Sequence, residues 1–202
     1  MSVTAARRGR PRSSSLDDSI ELAALELLAT GGFGALTMEA IAARAGVGKA
    51  SLYRRFSNLE DLLSRALLRL DEDLVEAANL EDADAARQAL LDTMARIRSR
   101  TPDSLNGRIM LRVISEGERF PQLLAVIQER LLRPRQQRIR DLLEQARRLG
   151  VLAPDADLDT GVALLVGPMV WLGMLRITQA QVPNEAVLAQ LLTGLGFPAN
   201  DS

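Results

Sequence analysis

The side chains best placed to do chemistry lie in one short run, Lys49-Ala50-Ser51-Leu52-Tyr53-Arg54-Arg55. It supplies cations for phosphate, hydroxyls for phosphate or base edges, and a small residue, Ala50, that allows close approach. Lys49 is the single lysine among the chain's 25 Lys/Arg. That choice fits a position needing a compact, flexible cation, although a composition favouring arginine elsewhere would leave the same pattern. Bond-making chemistry has little to work with. The absence of His and Cys removes imidazole bases, thiol nucleophiles and the usual zinc ligands. The expectation is a binding protein and not an enzyme, with no metal and no cofactor.

Such a run must be held out toward a partner by its neighbours. Thr37 is placed to cap a short helix through Ala45, which Gly46 stops, and a second short helix covers about Lys49 to Phe56. Ile41, Ala45, Val47, Leu52 and Phe56 are spaced to pack the pair together and onto a preceding helix. That preceding helix starts at a Ser15/Asp18 signal, carries Ile20, Ala23, Ala24, Leu27 and Leu28, and ends at Gly31-Gly32. Ser57 and Glu60 suggest a capping box for a longer helix with Leu59, Leu62, Leu63, Ala66, Leu67, Leu70 and Leu74 on its apolar face.

Two short helices around a three-residue turn form a helix-turn-helix, whose second member can enter a DNA major groove. The stretch resembles the DNA-binding domain of the TetR/AcrR family. Thr37, Ile41, Ala42, Ala45, Gly46, Val47, Leu52, Tyr53, Phe56 and Leu62 stand at the positions that carry the resemblance, over roughly residues 16–65. Gly48, Ala50, Arg55 and Leu59 depart from it; Gly48 lacks a capping hydroxyl, and Leu59 stands where the family often has a phosphate-binding lysine. By this resemblance Thr37, Lys49, Ala50, Ser51, Tyr53, Arg54 and Arg55 meet a double-stranded DNA operator. The resemblance further implies a homodimer and a small-molecule effector. The expected function is that of a repressor that binds a palindromic operator and is released by the effector, with an activator, or a DNA-binding regulator without a sensor, as the alternatives.

Charge is divided in the same sense. Residues 1–56 carry eight Lys/Arg against five acids, and the remainder 17 against 21. A basic head on an acidic body suggests that only the head meets a polyanion. Residues 1–15 are expected to be a disordered basic arm. Within it, Arg7-Arg8-Gly9-Arg10-Pro11-Arg12 is similar to an AT-hook core that follows a narrow minor groove, and it reads equally well as a solvated tail.

The expected fold is all-α: a three-helix DNA-binding head, residues 16–62, and a helical ligand-binding and dimerisation body, residues 63–202. In the body, helices are expected over about 81–100, 104–116, 121–150 with a kink at Pro134, 157–180, and from an Asn184 cap to Gly194/Gly196. By resemblance the helices near 121–148 and 157–180 pair with their symmetry mates, and Gly161, Gly167 and Gly173 suit either that interface or an internal contact. Met110, Met169, Trp171 and Met174 are candidates to line an effector pocket, with Arg112, Glu116 and Arg176 as its polar contacts. Thr160 to Leu175 is uncharged, but its 16 residues fall short of the roughly 20 needed to span a bilayer. A cytoplasmic protein with no membrane partner is expected.

Overall fold

The structure, a computed structural model, describes residues 12–70 and 80–194. Expectations for residues 1–11, Leu74 and Gly196 lie outside the described residues. Ten α-helices are described: α1 Arg12–Gly31, α2 Met38–Ala45, α3 Lys49–Tyr53, α4 Leu59–Leu68, α5 Ala83–Arg98, α6 Leu105–Glu116, α7 Pro121–Ile127, α8 Arg133–Arg148, α9 Leu158–Met174 and α10 Asn184–Gly194. No strand occurs among the described residues. α1 begins at Arg12, ahead of the expected Ser15 signal, and within it the Ser15 carbonyl accepts from the Ser19 hydroxyl at 2.9 Å.

Two apolar cores hold the chain together. In the first, Ile20, Ala24 and Leu28 of α1 close against Ile41, Leu52, Phe56, Leu62, Leu63 and Leu67, all with essentially no exposure. Ile109 of α6, Ile127 of α7 and Leu131 complete this same core. The second gathers Leu90, Met94, Leu143, Leu165, Met169 and Leu188 from α5, α8, α9 and α10. Each buried Leu, Ile or Phe contributes about 1.5–3 kcal/mol by leaving water, so both clusters matter to stability.

Several boundaries shift for identifiable reasons. Asn58, not Ser57, caps α4: its Oδ1 accepts from the Asp61 amide at 2.8 Å, while the Ser57 amide donates to Asp61 Oδ2 at 2.9 Å. The cap thus moves one residue along, with Asp61 in place of Glu60, and the return bond from Asp61 reaches the residue ahead of the cap and not the cap's own amide. The expected kink near Pro134 is a widened turn over Gln128–Leu132, where the Arg133 amide reaches back to the Gln128 carbonyl. Widening the helix just ahead of a proline accommodates the missing donor without breaking it.

α9 is capped by Asp157, whose carboxylate accepts from the Asp159 amide at 3.0 Å and the Thr160 hydroxyl at 2.8 Å. The helix stops at Met174, short of the expected Ala180. Arg176 takes a left-handed conformation (φ 58°), and the Ile177 amide bonds back to the Leu172 carbonyl at 2.9 Å. This is the usual glycine closure made by an arginine, so its residue type gives no warning. Asn184 does not cap α10 with its side chain, which is buried against Arg98. The Arg98 guanidinium donates to the carbonyls of Ile177 and Val182 and to Asn184 Oδ1 at 2.6–2.7 Å, pinning the 176–183 connection.

Candidate nucleic-acid interface

Thr37 Oγ1 accepts from the Ala40 amide at 3.1 Å and so starts α2. Gly46, at φ 67°, ends it, and the Val47 amide returns to the Ala42 carbonyl at 2.9 Å. A side chain at Gly46 would be strained by that φ, so a glycine here sets the angle at which α3 leaves α2. α3 is shorter than expected, ending at Tyr53, with hydrogen bonding continued by the Phe56 amide to the Leu52 carbonyl. Leu52 and Phe56 are fully buried, and the Arg65 guanidinium lies 5.0 Å from the Phe56 ring centre. These two anchors fix which side of α3 faces out.

The outward side carries Lys49, Ala50, Tyr53 and Arg54, all exposed, with Ser51 at its edge. Tyr53 keeps 51% of its surface, far more than the interior position an aromatic usually takes. Lys49 Nζ lies 3.2 Å from Glu39 Oε1, and Arg54 donates to Ser51 Oγ at 3.4 Å. Arg55 is set apart: its guanidinium is paired with Asp17 of α1 at 2.9 Å and is mostly enclosed. Thr37 is exposed, with its hydroxyl already engaged in the cap. Gly48 precedes α3 without a side-chain cap, and Leu59 is half-buried against the first core.

Comparison with known proteins decides what this arrangement is. A family model for bacterial regulatory proteins of the TetR family matches residues 21–66, and one for a tetracyclin repressor-like C-terminal domain matches residues 80–193. This chain belongs to the TetR family. It is a transcriptional regulator with a DNA-binding helix-turn-helix, and not an enzyme. The HTH-type transcriptional regulator YdeS of Bacillus subtilis (strain 168) is 29% identical over 181 residues, spanning 90% of this chain and 88% of that protein. Salmonella enterica GusR superposes with a TM-score of 0.68 at 18% identity, covering 92% of this chain and 95% of GusR. The fatty acid degradation regulator FadR of Bacillus halodurans gives 0.66 at 18%, covering 95% and 100%. The flavonoid-responsive regulator FrrA gives 0.62 at 26%, covering 89% and 92%.

In this TetR-family chain the pocket candidates are scattered. Met169 is fully enclosed in the second core, whereas Trp171, two residues on, is 62% exposed. They occupy opposite sides of α9. Met110 on α6 and Met174 at the end of α9 are half-buried. The polar candidates make contacts between elements. Arg112 donates to Glu116 Oε1 at 2.7 Å and to the Thr30 carbonyl at 2.9 Å, and Glu116 Oε2 accepts from the Phe33 amide at 3.1 Å. With the stacked Phe33 and Phe120 rings, 5.5 Å apart, they fasten α6 to the end of α1. Arg176 pairs with Asp103 in front of α6 at 2.8 Å. The glycines divide too: a Cβ at Gly173 would lie 2.6 Å from the Arg98 carbonyl, an internal contact with α5, whereas Gly167 faces open space.

Glu39 is not among the site residues expected from sequence. As an acid in the first turn of α2 it reads simply as a partner for the helix dipole. Only the Gly46 turn brings it to Lys49, so no helical spacing signals the contact. Its own backbone amide, and then Lys49, hold its carboxyl below the usual carboxylate range.

Proposed function

We propose that this regulator is a repressor that binds a palindromic operator as a homodimer and leaves it when a small-molecule effector binds. In this reading residues 16–62 read the DNA and residues 63–202 dimerise and sense, in the cytoplasm. The observation that carries it is α3: Leu52 and Phe56 are locked inside while Lys49, Ala50, Tyr53 and Arg54 stand in solvent. Lys49 and Arg54 take phosphates, Tyr53 and Ser51 phosphate or base edges, and Ala50 permits close approach. Thr37 and Arg55 join the contact surface once the backbone meets DNA, Arg55 by leaving Asp17. The arm arginines before residue 12 add sequence-blind affinity from the minor groove.

One α3 reads only a few base pairs, and two related by a dyad read half-sites about 34 Å apart or more. Self-association is supported by an unfilled face of α9, where Leu164 (42% exposed) and Trp171 flank the open Gly167. Effector response is supported by the character of one structural relative, the flavonoid-responsive FrrA. Met110 and Met174, both half-buried, remain candidates for an apolar effector wall.

Footprinting on the intergenic DNA beside the protein's own gene tests the reading, combined with transcription in vitro from the same fragment. The expected result is protection of two symmetric half-sites and reduced transcript. A single unpaired footprint, or increased transcript, would count against the homodimeric repressor.

A further inference from the structure

We propose that Glu39 is a specificity-determining residue, whose carboxylate accepts a hydrogen bond from the exocyclic amine of a cytosine in the major groove and repels other base edges. The inference rests on the reading of α3 as the DNA-contacting helix. In a helix-turn-helix the first residues of the second helix reach the base edges. Lys49 is that first residue, and Glu39 Oε1 lies 3.2 Å from its Nζ. Both side chains are more than half exposed, at 56% for Glu39 and 64% for Lys49. A group one hydrogen bond from Lys49 therefore faces the same DNA surface.

Two other carboxylates of the head are paired with arginines that bind them to the scaffold: Glu26 with Arg44, Asp17 with Arg55. Glu39 is paired instead with a cation that DNA itself claims. An exposed ion pair of this kind contributes little, so phosphate competes readily for Lys49. The carboxylate is then left in a groove lined by acceptors: N7 and O6 of guanine, O4 of thymine. Two bases offer an amine there. At adenine the adjacent N7 lone pair meets the second carboxylate oxygen, whereas at cytosine the neighbouring carbon carries no lone pair. Cytosine is thus the base whose amine a carboxylate accepts without meeting an adjacent acceptor.

The test is selection from a random-sequence duplex pool by the full chain, as wild type, Glu39→Gln and Glu39→Ala. The wild type is expected to enrich one cytosine column in each half-site. Glu39→Gln should turn that column to adenine, which glutamine bonds through N6 and N7, and Glu39→Ala should flatten it. The loss of discrimination at that column should be about ten- to a hundredfold, with the other columns kept. Identical motifs from all three proteins overturn the proposal, as does an affinity gain shared equally by every sequence. A wild type that enriches no motif overturns both this proposal and the reading of α3, whereas an unchanged motif overturns the proposal alone. Glutamine matches glutamate in size and helix propensity, so the exposed site tolerates the change.

Discussion

The two cores of this molecule are built differently. The first is assembled from short helices, α2 to α4, with side-chain caps on α2 and α4, closed on α1 and on residues from the body that include the buried Ile109, Ile127 and Leu131. The second is made from long helices, α5, α8 and α9, whose connection to α10 is fastened by one buried guanidinium. In the first, chain direction is set by local signals: the Thr37 cap, the Gly46 turn and the Asn58 cap each act within a few residues. In the second, direction is set by contacts remote in sequence, such as Arg98 with Val182. The DNA-binding surface is thus oriented locally but seated on the body, so the body can influence it through α6 and α7.

Ile127→Ala should break that comparison most severely if it is wrong. Truncating a buried isoleucine costs about 2–5 kcal/mol, and here the loss should reach α1 and α4 although the change lies in α7. Hydrogen exchange is the readout: faster exchange in α1 and α4 is expected, and loss of protection confined to α8 and α9 would separate the cores differently.

Arg98→Met should be next. It leaves the Ile177 and Val182 carbonyls and Asn184 without their donor, a cost of about 2–4 kcal/mol. A denaturation midpoint should fall, with the 176–183 segment becoming protease-sensitive before α1 does. Glu116→Gln should cost about 1–2 kcal/mol by weakening the bond to the Phe33 amide and the pair with Arg112. Its sharper effect should be on coupling: a chain loosened between α1 and α6 should show head and body melting at more widely separated temperatures in calorimetry.

What can be read from the sequence follows the same division. The helix-turn-helix is legible because each of its determinants is local and residue-specific: a threonine cap, a glycine with positive φ, apolar residues at helical spacing. Lys49 and Tyr53 can be placed on its outer side for that reason. Glu39 cannot, since its meeting with Lys49 depends on the angle of the turn. In the body the helices are legible but their uses are not. Arg112 and Glu116 read as polar groups for a pocket, and their engagement with Thr30 and Phe33 crosses some eighty residues. The end of α9 is hidden because an arginine does there what a glycine usually does. Asn184 reads as a cap, and it is taken by a buried arginine.

The smallest expected effect concerns the head alone. Gly48 precedes α3 with extended backbone (φ −71°, ψ 143°), has no side-chain cap, and has free space around it. Gly48→Ser should supply the missing hydroxyl acceptor and reduce the freedom of the unfolded chain, raising stability by about 0.5–1 kcal/mol. A thermal melt is sufficient to check the sign.

The central claim is that this regulator meets DNA through the outer side of α3. Its most direct test is affinity for the intergenic fragment beside its own gene across a salt series, for wild type, Lys49→Ala and Tyr53→Ala. The account predicts a steep salt dependence for wild type. For Lys49→Ala the log–log slope should be shallower by about 0.9, because one phosphate fewer is neutralised. Tyr53→Ala should weaken binding, with unchanged melting temperatures in both variants, since both side chains stand in solvent. Two variants that bind with wild-type affinity and wild-type slope would contradict it.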